Sequence, residues 1–151
     1  MPVIGLVTTI DKPVQHVFNY LSEAANFAEF WPNLSGVDSI DSSSDEEHEY
    51  RWEYKFMGKV YKGTADVTGI VQNKLLVIET QGDIYSNLTW SFGRFENGTK
   101  VTFVLNYEVL DLNLDKHSIE VFAKRIEHQI DRLMSYLQKR MNNNKEPKNQ
   151  R

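Results

Sequence analysis

Few residues of this chain have the type and spacing that catalysis or metal binding requires. Cysteine is absent from its 151 residues, which excludes disulfides, thiolate nucleophiles and thiolate-bound metals. The histidines, at His16, His48, His117 and His128, lack the paired spacing of a metal site, and Asp131 adds a single carboxylate near the last of them. No serine-nucleophile motif or phosphate-binding glycine loop occurs. The sequence therefore predicts no metal, no cofactor and no identifiable catalytic residue.

Two acidic residues inside predicted strands bear on enzyme chemistry, because burial in an apolar pocket raises the pKa of a carboxyl group and lets it act as a general acid or base. Asp66 lies between two apolar residues, and strand parity places it on the solvent face. Glu79 follows the run Leu75 to Ile78, which is apolar on both faces, so parity leaves its side undecided. Solvent is the expected side for a carboxylate near a strand end.

Aromatic side chains at alternating positions are the main candidates for a binding site. From His48 to Phe56 the even positions are aromatic and the odd positions are charged, apart from His48, as in a strand with one buried face. The candidate lining of a pocket comprises Trp52, Tyr54, Phe56, Tyr61, Trp90, Phe92, Phe103, Tyr107, Phe122, Ile126 and Ile130. Ordinary core packing is the alternative for each residue. The tyrosines favour a pocket, because a buried phenol needs a hydrogen-bond partner such as water or a polar ligand group.

The elements that position these side chains follow from the hydrophobic periodicity. Val3 to Ile10 predicts a strand, and Asp11 and Pro13 predict the start of a short helix that ends near Ser22. A second helical turn carries Phe27, Phe30 and Trp31, which we expect to form a lid over the pocket. Six further strands follow, with turn signals about every ten residues. The Asn97-Gly98 pair predicts a hairpin turn with two positive φ angles.

The last predicted element is an amphipathic helix of about 23 residues, capped by Asp115 or Ser118. The expected fold is α+β, with a seven-stranded antiparallel curved sheet wrapped around this long C-terminal helix. One helix is about 10 Å wide and a seven-stranded sheet is roughly three times wider. The helix cannot fill the concave face, so large side chains or a ligand must occupy the remaining space. Residues 1–141 are expected to form one domain, and residues 142–151 a disordered polar tail.

The charge balance excludes several partners. The net charge of -4 and the absence of a Lys/Arg stripe argue against nucleic acid and anionic lipid surfaces. No run reaches the roughly 18 apolar residues of a membrane span, and no signal peptide is evident, so we expect a cytoplasmic protein without integral membrane association. The expected partner is a hydrophobic small molecule, and a homodimer remains open.

Three stretches resemble the START/SRPBCC superfamily, which includes polyketide cyclase/dehydrase-like and lipid-transfer proteins. They are VTTIDKPVQHVFNYLSEAANFAEFWPNLSGV, the aromatic strand and glycine turn of YRWEYKFMGKVYKGTADV, and WSF with NGT before the closing helix. The similarity covers about residues 3–140. It implies a helix-grip fold whose members bind lipids, hormones, quinones or polyketides, act as cyclases, or bind partners.

Three functions remain open on these grounds. The leading hypothesis is a carrier or sensor of a lipid, quinone or polyketide-like molecule. The second is a cyclase or dehydrase, which requires a buried ionisable residue at the end of the pocket. The third is an interaction module, in which side chains fill the cavity and an exposed apolar patch lies elsewhere, around Phe27, Phe30 and Trp31.

Overall fold

The computed structural model describes residues 3–39, 49–109 and 115–143. The strands are β1 (Val3–Ile10), β2 (Leu34–Ser39), β3 (Glu49–Phe56), β4 (Lys59–Val71), β5 (Leu75–Gly82), β6 (Ile84–Phe95) and β7 (Gly98–Val109). The α-helices are α1 (Val14–Ser22), α2 (Phe27–Phe30) and α3 (Lys116–Asn143), with a 3-10 turn at Ala24–Asn26. The predicted α+β class and order of elements are confirmed. The predicted acidic loop around residues 41–47 lies outside the described residues.

All strand pairs are antiparallel, in the spatial order β1-β7-β6-β5-β4-β3-β2. Six consecutive strands from β2 to β7 pair with their neighbours in the chain, and β7 also pairs with β1. Burial alternates strictly along β6 from Ser86 to Phe92 and along β7 from Thr99 to Tyr107, because successive side chains of a strand point to opposite faces. One face of this curved sheet therefore carries the core, and its edges are β1 and β2.

Strands β4 and β5 approach each other closely beside the Trp52 side chain. Gly63 pairs with Trp52 on one side and with Gly82 on the other. A Cβ atom added to Gly63 would lie 1.9 Å from the Gln81 carbonyl oxygen and 2.5 Å from Cζ2 of Trp52. The absence of a side chain at Gly63 thus leaves room for the Trp52 indole. The indole N–H donates to the Thr64 carbonyl at 2.9 Å, which leaves it no donor for a ligand.

The β6–β7 turn differs from the prediction by one residue. Phe95 pairs with Gly98, so the two central residues are Glu96 and Asn97, and Glu96 has a positive φ of 54°. The expectation that Asn97-Gly98 occupies the centre of the turn is therefore wrong. Glycine is needed at position 98 for a different reason, which is the close approach of β1. A Cβ atom there would lie 2.3 Å from the Ile10 carbonyl oxygen.

Helix α3 is anchored to the sheet mainly through its C-terminal half. Its start is capped by Asp115, whose Oδ1 accepts the Ser118 backbone N–H at 2.7 Å, as predicted for one of two candidates. Near its end, Gln138 donates to the Thr9 carbonyl at 2.7 Å and Asn142 accepts the Asp11 backbone N–H at 2.9 Å. Asp11 does not cap α1, whose N-cap position is occupied by Pro13.

The short helices close the sheet over an aromatic cluster. Trp90 is fully buried, with its ring centroid 4.3 Å from that of Phe103 and in edge contact with Phe27 and Phe30. On the outside, Glu29 of α2 accepts the Tyr20 hydroxyl at 2.6 Å and pairs with Arg140 at 3.1 Å. These two contacts connect α1, α2 and the end of α3.

Candidate functional site

A cavity of about 140 Å³ lies between the inner face of the sheet and the N-terminal half of α3. Its floor is formed by β3 to β7, its roof by Phe122, Ile126 and Ile130, and one wall by α1, α2 and β2. Nearly all the atoms that line it are apolar. Because these walls belong to different layers of the fold, the cavity depends on how α3 and the short helices are placed over the sheet.

The floor is built from two cross-strand rows of residues. The aliphatic row is defined by the successive partners Val67, Ile78, Leu88 and Leu105 on β4 to β7. The polar row lies beside it, two residues along each strand, and is defined by Ala65, Thr80, Ser86 and Tyr107. Directly opposed residues in antiparallel strands have neighbouring side chains on the same face. The cavity therefore has a hydrocarbon floor with hydroxyl groups along one side.

Eight of the fourteen predicted site residues line this cavity. They are Trp52, Tyr54, Tyr107, Phe122, Ile126 and Ile130 of the predicted lining, and Phe27 and Trp31 of the predicted lid. All fourteen are buried except Trp31, which is half-buried, so their assignment to the inner face agrees with the structure. Contact with a ligand remains a prediction for each of the eight.

The other six predicted residues pack in the core beside the cavity. They are Phe56, Tyr61, Trp90, Phe92, Phe103 and Phe30. Trp90 and Phe103 lie under α2, and the Phe18 ring of α1 contacts Phe92 edge-on at 5.4 Å. Phe56 and Tyr61 pack against Phe122 at centroid distances of 5.1 and 5.8 Å. These rings are covered by helices, which strand parity cannot reveal.

The predicted lining missed the whole aliphatic row, and of the polar row it contained only Tyr107. Leu88 has the same strand parity as Trp90, and Leu105 has the same parity as Phe103 and Tyr107. That parity was a sufficient signal, but the candidate list was restricted to aromatic residues on the sheet. Strand parity could not assign Leu76, Ile78 and Val67 to the inner face. Strand β5 is apolar on both faces, and β4 has a bulge between Val67 and Gly69.

Three phenols cluster where α3 meets β3, β4 and β7. The Tyr54 hydroxyl hydrogen bonds to Gln129 Oε1 of α3. Burial raises the pKa of Tyr54 well above its usual value, and the neighbouring phenols of Tyr61 and Tyr107 add to this effect. Burial also raises the pKa of Tyr61 and of Tyr107, with smaller contributions from the carboxylates of Asp83 and Glu127 respectively. At neutral pH these groups are protonated hydrogen-bond donors.

No carboxylate and no histidine is present among the described residues that line the cavity. Asp66 and Glu79 are paired with each other across β4 and β5 and have the opposite parity to Ala65 and Thr80, so both lie on the outer face, as expected. Within the described part of the chain, no group of three or more metal-ligating side chains is found. Among the described residues that line the cavity, the buried ionisable groups are therefore phenols, and Arg51 is exposed.

The structure also bears on the interaction-module hypothesis. That hypothesis expects a filled cavity and an exposed apolar patch around α2. Phe27 and Phe30 are instead buried, and Trp31 stacks on Phe27 at 6.3 Å. Since a cavity is present and these rings point into the fold, the expectation of a filled cavity is wrong, and so is the location of the patch at Phe27 and Phe30; an exposed apolar patch elsewhere stays a prediction.

Comparison with known proteins identifies the family. The sequence model of the Activator of Hsp90 ATPase homolog 1-like protein family matches residues 11–138, which include every cavity-lining residue. The chain belongs to this family. The family assignment and the fold place it in the START/SRPBCC superfamily, as the resemblance predicted. No match was found among curated proteins.

Solved structures share the fold of this chain at low sequence identity. A START superfamily protein from Mycobacterium smegmatis superposes with a TM-score of 0.73 at 14% identity, covering 93% of this chain and 97% of the other. The Zhui aromatase/cyclase from Streptomyces sp. R1128 gives 0.68 at 10% identity, covering 91% and 94%. The Aha1 dimer from Colwellia psychrerythraea gives 0.60 at 15% identity, covering 94% and 97%. No described helix is long and apolar enough to cross a membrane.

Proposed function

We propose that this protein binds an apolar small molecule, of the lipid, quinone or polyketide-like class, in the cavity between the sheet and α3. The observation that carries the proposal is the apolar cavity of about 140 Å³. Transfer of a ligand from water to such a site is favourable by about 25 cal/mol per Å² of apolar surface buried. The START/SRPBCC fold and an aromatase/cyclase among the structural neighbours support the same ligand class.

Phe27 and Trp31 are proposed to act as the lid of this site. Both rings line the cavity from the α2 side, and they stack on each other. Helix α2 has a single turn and is joined to β2 by only three residues, so it is held mainly by its buried rings and by Glu29. Entry through this wall requires fewer packing contacts to open than entry through the sheet.

The test combines ligand detection with a cavity-filling variant. The purified full chain is examined by native mass spectrometry for co-purifying molecules, and a library of lipids and quinones is screened by calorimetric titration. Ala65→Leu, which adds a side chain on the polar row, should lower affinity about tenfold by removing space. Thr64→Leu on the outer face of the same strand is the matched control and should leave affinity unchanged. Absence of any ligand in both experiments would refute the proposal.

A second candidate, cyclase-type catalysis, is favoured by the phenol of Tyr107 in the same cavity, whereas the Tyr54 phenol donates to Gln129. A protonated phenol can donate a hydrogen bond to a ligand carbonyl and stabilise the enolate formed from it. The test is conversion of a poly-β-ketone analogue by the full chain and by Tyr107→Phe. Turnover that is absent in the unsubstituted protein counts against this candidate and leaves ligand binding intact.

We also propose that the chain self-associates as a homodimer. A structural neighbour is a dimer, and the edge strand β1 exposes Val3 and Val7 on its outer face. Edge strands also retain unpaired backbone groups. The cytoplasmic location expected from the sequence is likewise a prediction, to be checked by cell fractionation.

A further inference from the structure

The polar row fixes the direction of the hydrogen bonds on the cavity floor. Thr80 Oγ1 donates to the Ile84 carbonyl at 3.2 Å, so its only proton is used. Geometry alone allows either hydroxyl to donate in the contact between Thr80 Oγ1 and Ser86 Oγ; with the Thr80 proton directed to Ile84, the donor is Ser86. Ser86 is buried, and its proton is used in the bond to Thr80. Its Oγ can therefore accept a hydrogen bond from a ligand but cannot donate one. On this side, the cavity therefore presents a hydrogen-bond acceptor to its occupant.

Three other polar groups of the lining are already hydrogen bonded within the protein. The Trp52 indole donates to Thr64, the Tyr54 phenol bonds to Gln129, and the Ser22 hydroxyl donates to the Phe18 carbonyl at 2.7 Å. An acceptor that is buried and available in an otherwise apolar space favours a ligand that carries a donor. Such a ligand avoids leaving a polar atom without a partner.

The cavity volume limits the size of the occupant. At about 140 Å³ the space is close to that of an apolar protein cavity of about 150 Å³ that stays dry and binds benzene. A single ring with short substituents fits this space, whereas a long acyl chain exceeds it. The aliphatic row supplies the surface against which such a ring packs.

We propose that the preferred ligand is a compact monocyclic phenol or alcohol whose hydroxyl donates to Ser86 Oγ while its ring packs on the aliphatic row. This inference rests on the proposed function and narrows it from apolar molecules in general to a small ring with one hydrogen-bond donor. Thr80 acts as the positioning residue, because its bond to Ile84 determines that Ser86 accepts rather than donates.

The experiment compares p-cresol with p-xylene, in which a methyl group replaces the hydroxyl group. Both are titrated calorimetrically into the full chain and into Ser86→Ala. In the variant, the affinity for p-cresol should fall about fivefold, as expected for one neutral hydrogen bond, while the affinity for p-xylene stays within about twofold. An unchanged p-cresol affinity with p-xylene still bound would overturn this inference alone. Failure of both compounds to bind the unsubstituted protein overturns the inference and counts against the proposed function.

A second variant tests the direction of the hydrogen bonds and does not depend on the folding of Ser86→Ala. Thr80→Val removes the acceptor of the Ser86 proton, which makes that proton available to a ligand. The acceptor-only compound p-tolualdehyde should then gain about fivefold in affinity over the unsubstituted protein. No gain for the aldehyde contradicts the assignment of Ser86 as an acceptor.

Discussion

Gly63 is the residue at which a single added carbon atom has the largest predicted effect. Its Cβ would collide with the Gln81 carbonyl oxygen and with the Trp52 ring, and backbone on that side cannot move aside easily. We expect Gly63→Ala to lower the free energy of unfolding by about 3 kcal/mol, as measured by urea denaturation. Gly5→Ala is the control, because no heavy atom lies within 4 Å of the added carbon. Equal stabilities of the two variants would contradict the close approach.

The buried phenols predict a loss of stability at alkaline pH. Burial raises the pKa of Tyr54 and Tyr107 above the ordinary value of 10.0, so the unfolded chain releases these protons at a lower pH than the folded one. Their contribution is complete below about pH 10 and is lost as the pH rises above that value. Urea denaturation at several pH values should show this fall.

The double variant Tyr54→Phe and Tyr107→Phe is the comparison for this prediction. Without these two phenols, the free energy of unfolding should decline less steeply above about pH 10. Phenolate absorbance measured in parallel reports when tyrosines ionise. Parallel pH profiles for both proteins would show that other groups control alkaline unfolding.

The inner-face residues were predictable from the sequence because side-chain direction has a period of two along a strand. Trp52, Tyr54 and Tyr107 were assigned correctly to the inner face on that basis alone. Trp90 and Phe103 have the same parity but lie outside the cavity, since α2 covers them. Which inward residue meets a helix and which meets empty space depends on contacts between distant segments, and these leave no local pattern.

Helix α3 combines two structural roles along its length. Its C-terminal half is packed through Leu133 and Leu137, which are fully buried, and is bonded to the end of β1 through Gln138. Its N-terminal half covers the cavity with Phe122 and Ile126. The N-terminal half of α3 therefore has fewer packing partners than the C-terminal half.

This asymmetry predicts different hydrogen-exchange rates within one helix. Backbone amides of residues 118–127 should exchange faster than those of residues 131–141, because local opening requires less packing to be broken. A bound ligand should slow exchange in the first segment and leave the second nearly unchanged. Hydrogen-exchange mass spectrometry of the full chain measures both. Equal exchange rates in the two segments of α3, with and without ligand, would refute the predicted difference between them.

The boundaries of elements were predictable where a periodic pattern was long. The apolar stripe of α3 predicted a helix of about 23 residues, and the structure has 28. Local irregularities were less accessible: the bulge between Val67 and Gly69 has no composition signal that separates it from a regular strand. The position of Gly98 shows the same limit, because its role depends on Ile10, far away in the sequence.

For the whole molecule, the dimer proposal predicts a mass of twice 17.6 kDa in light scattering coupled to size exclusion. Val7→Lys places a charge on the exposed face of β1, and it should shift the equilibrium towards the monomer by desolvation cost and repulsion. Val60→Lys, at another exposed valine, is the control and should leave the mass unchanged. A monomer mass for the unsubstituted chain at all concentrations would exclude this dimer.

The positions of the three tryptophans relative to the cavity give the protein an internal optical reporter. Trp31 and Trp52 line the cavity on different walls, whereas Trp90 is fully buried outside it. A bound ligand changes the surroundings of the Trp31 and Trp52 indoles but not those of Trp90. The fluorescence of the first two should therefore change in wavelength or intensity, while that of Trp90 stays constant. Intrinsic fluorescence can thus follow filling of the site without a dye, and Trp31→Phe and Trp52→Phe would divide the signal between the two walls.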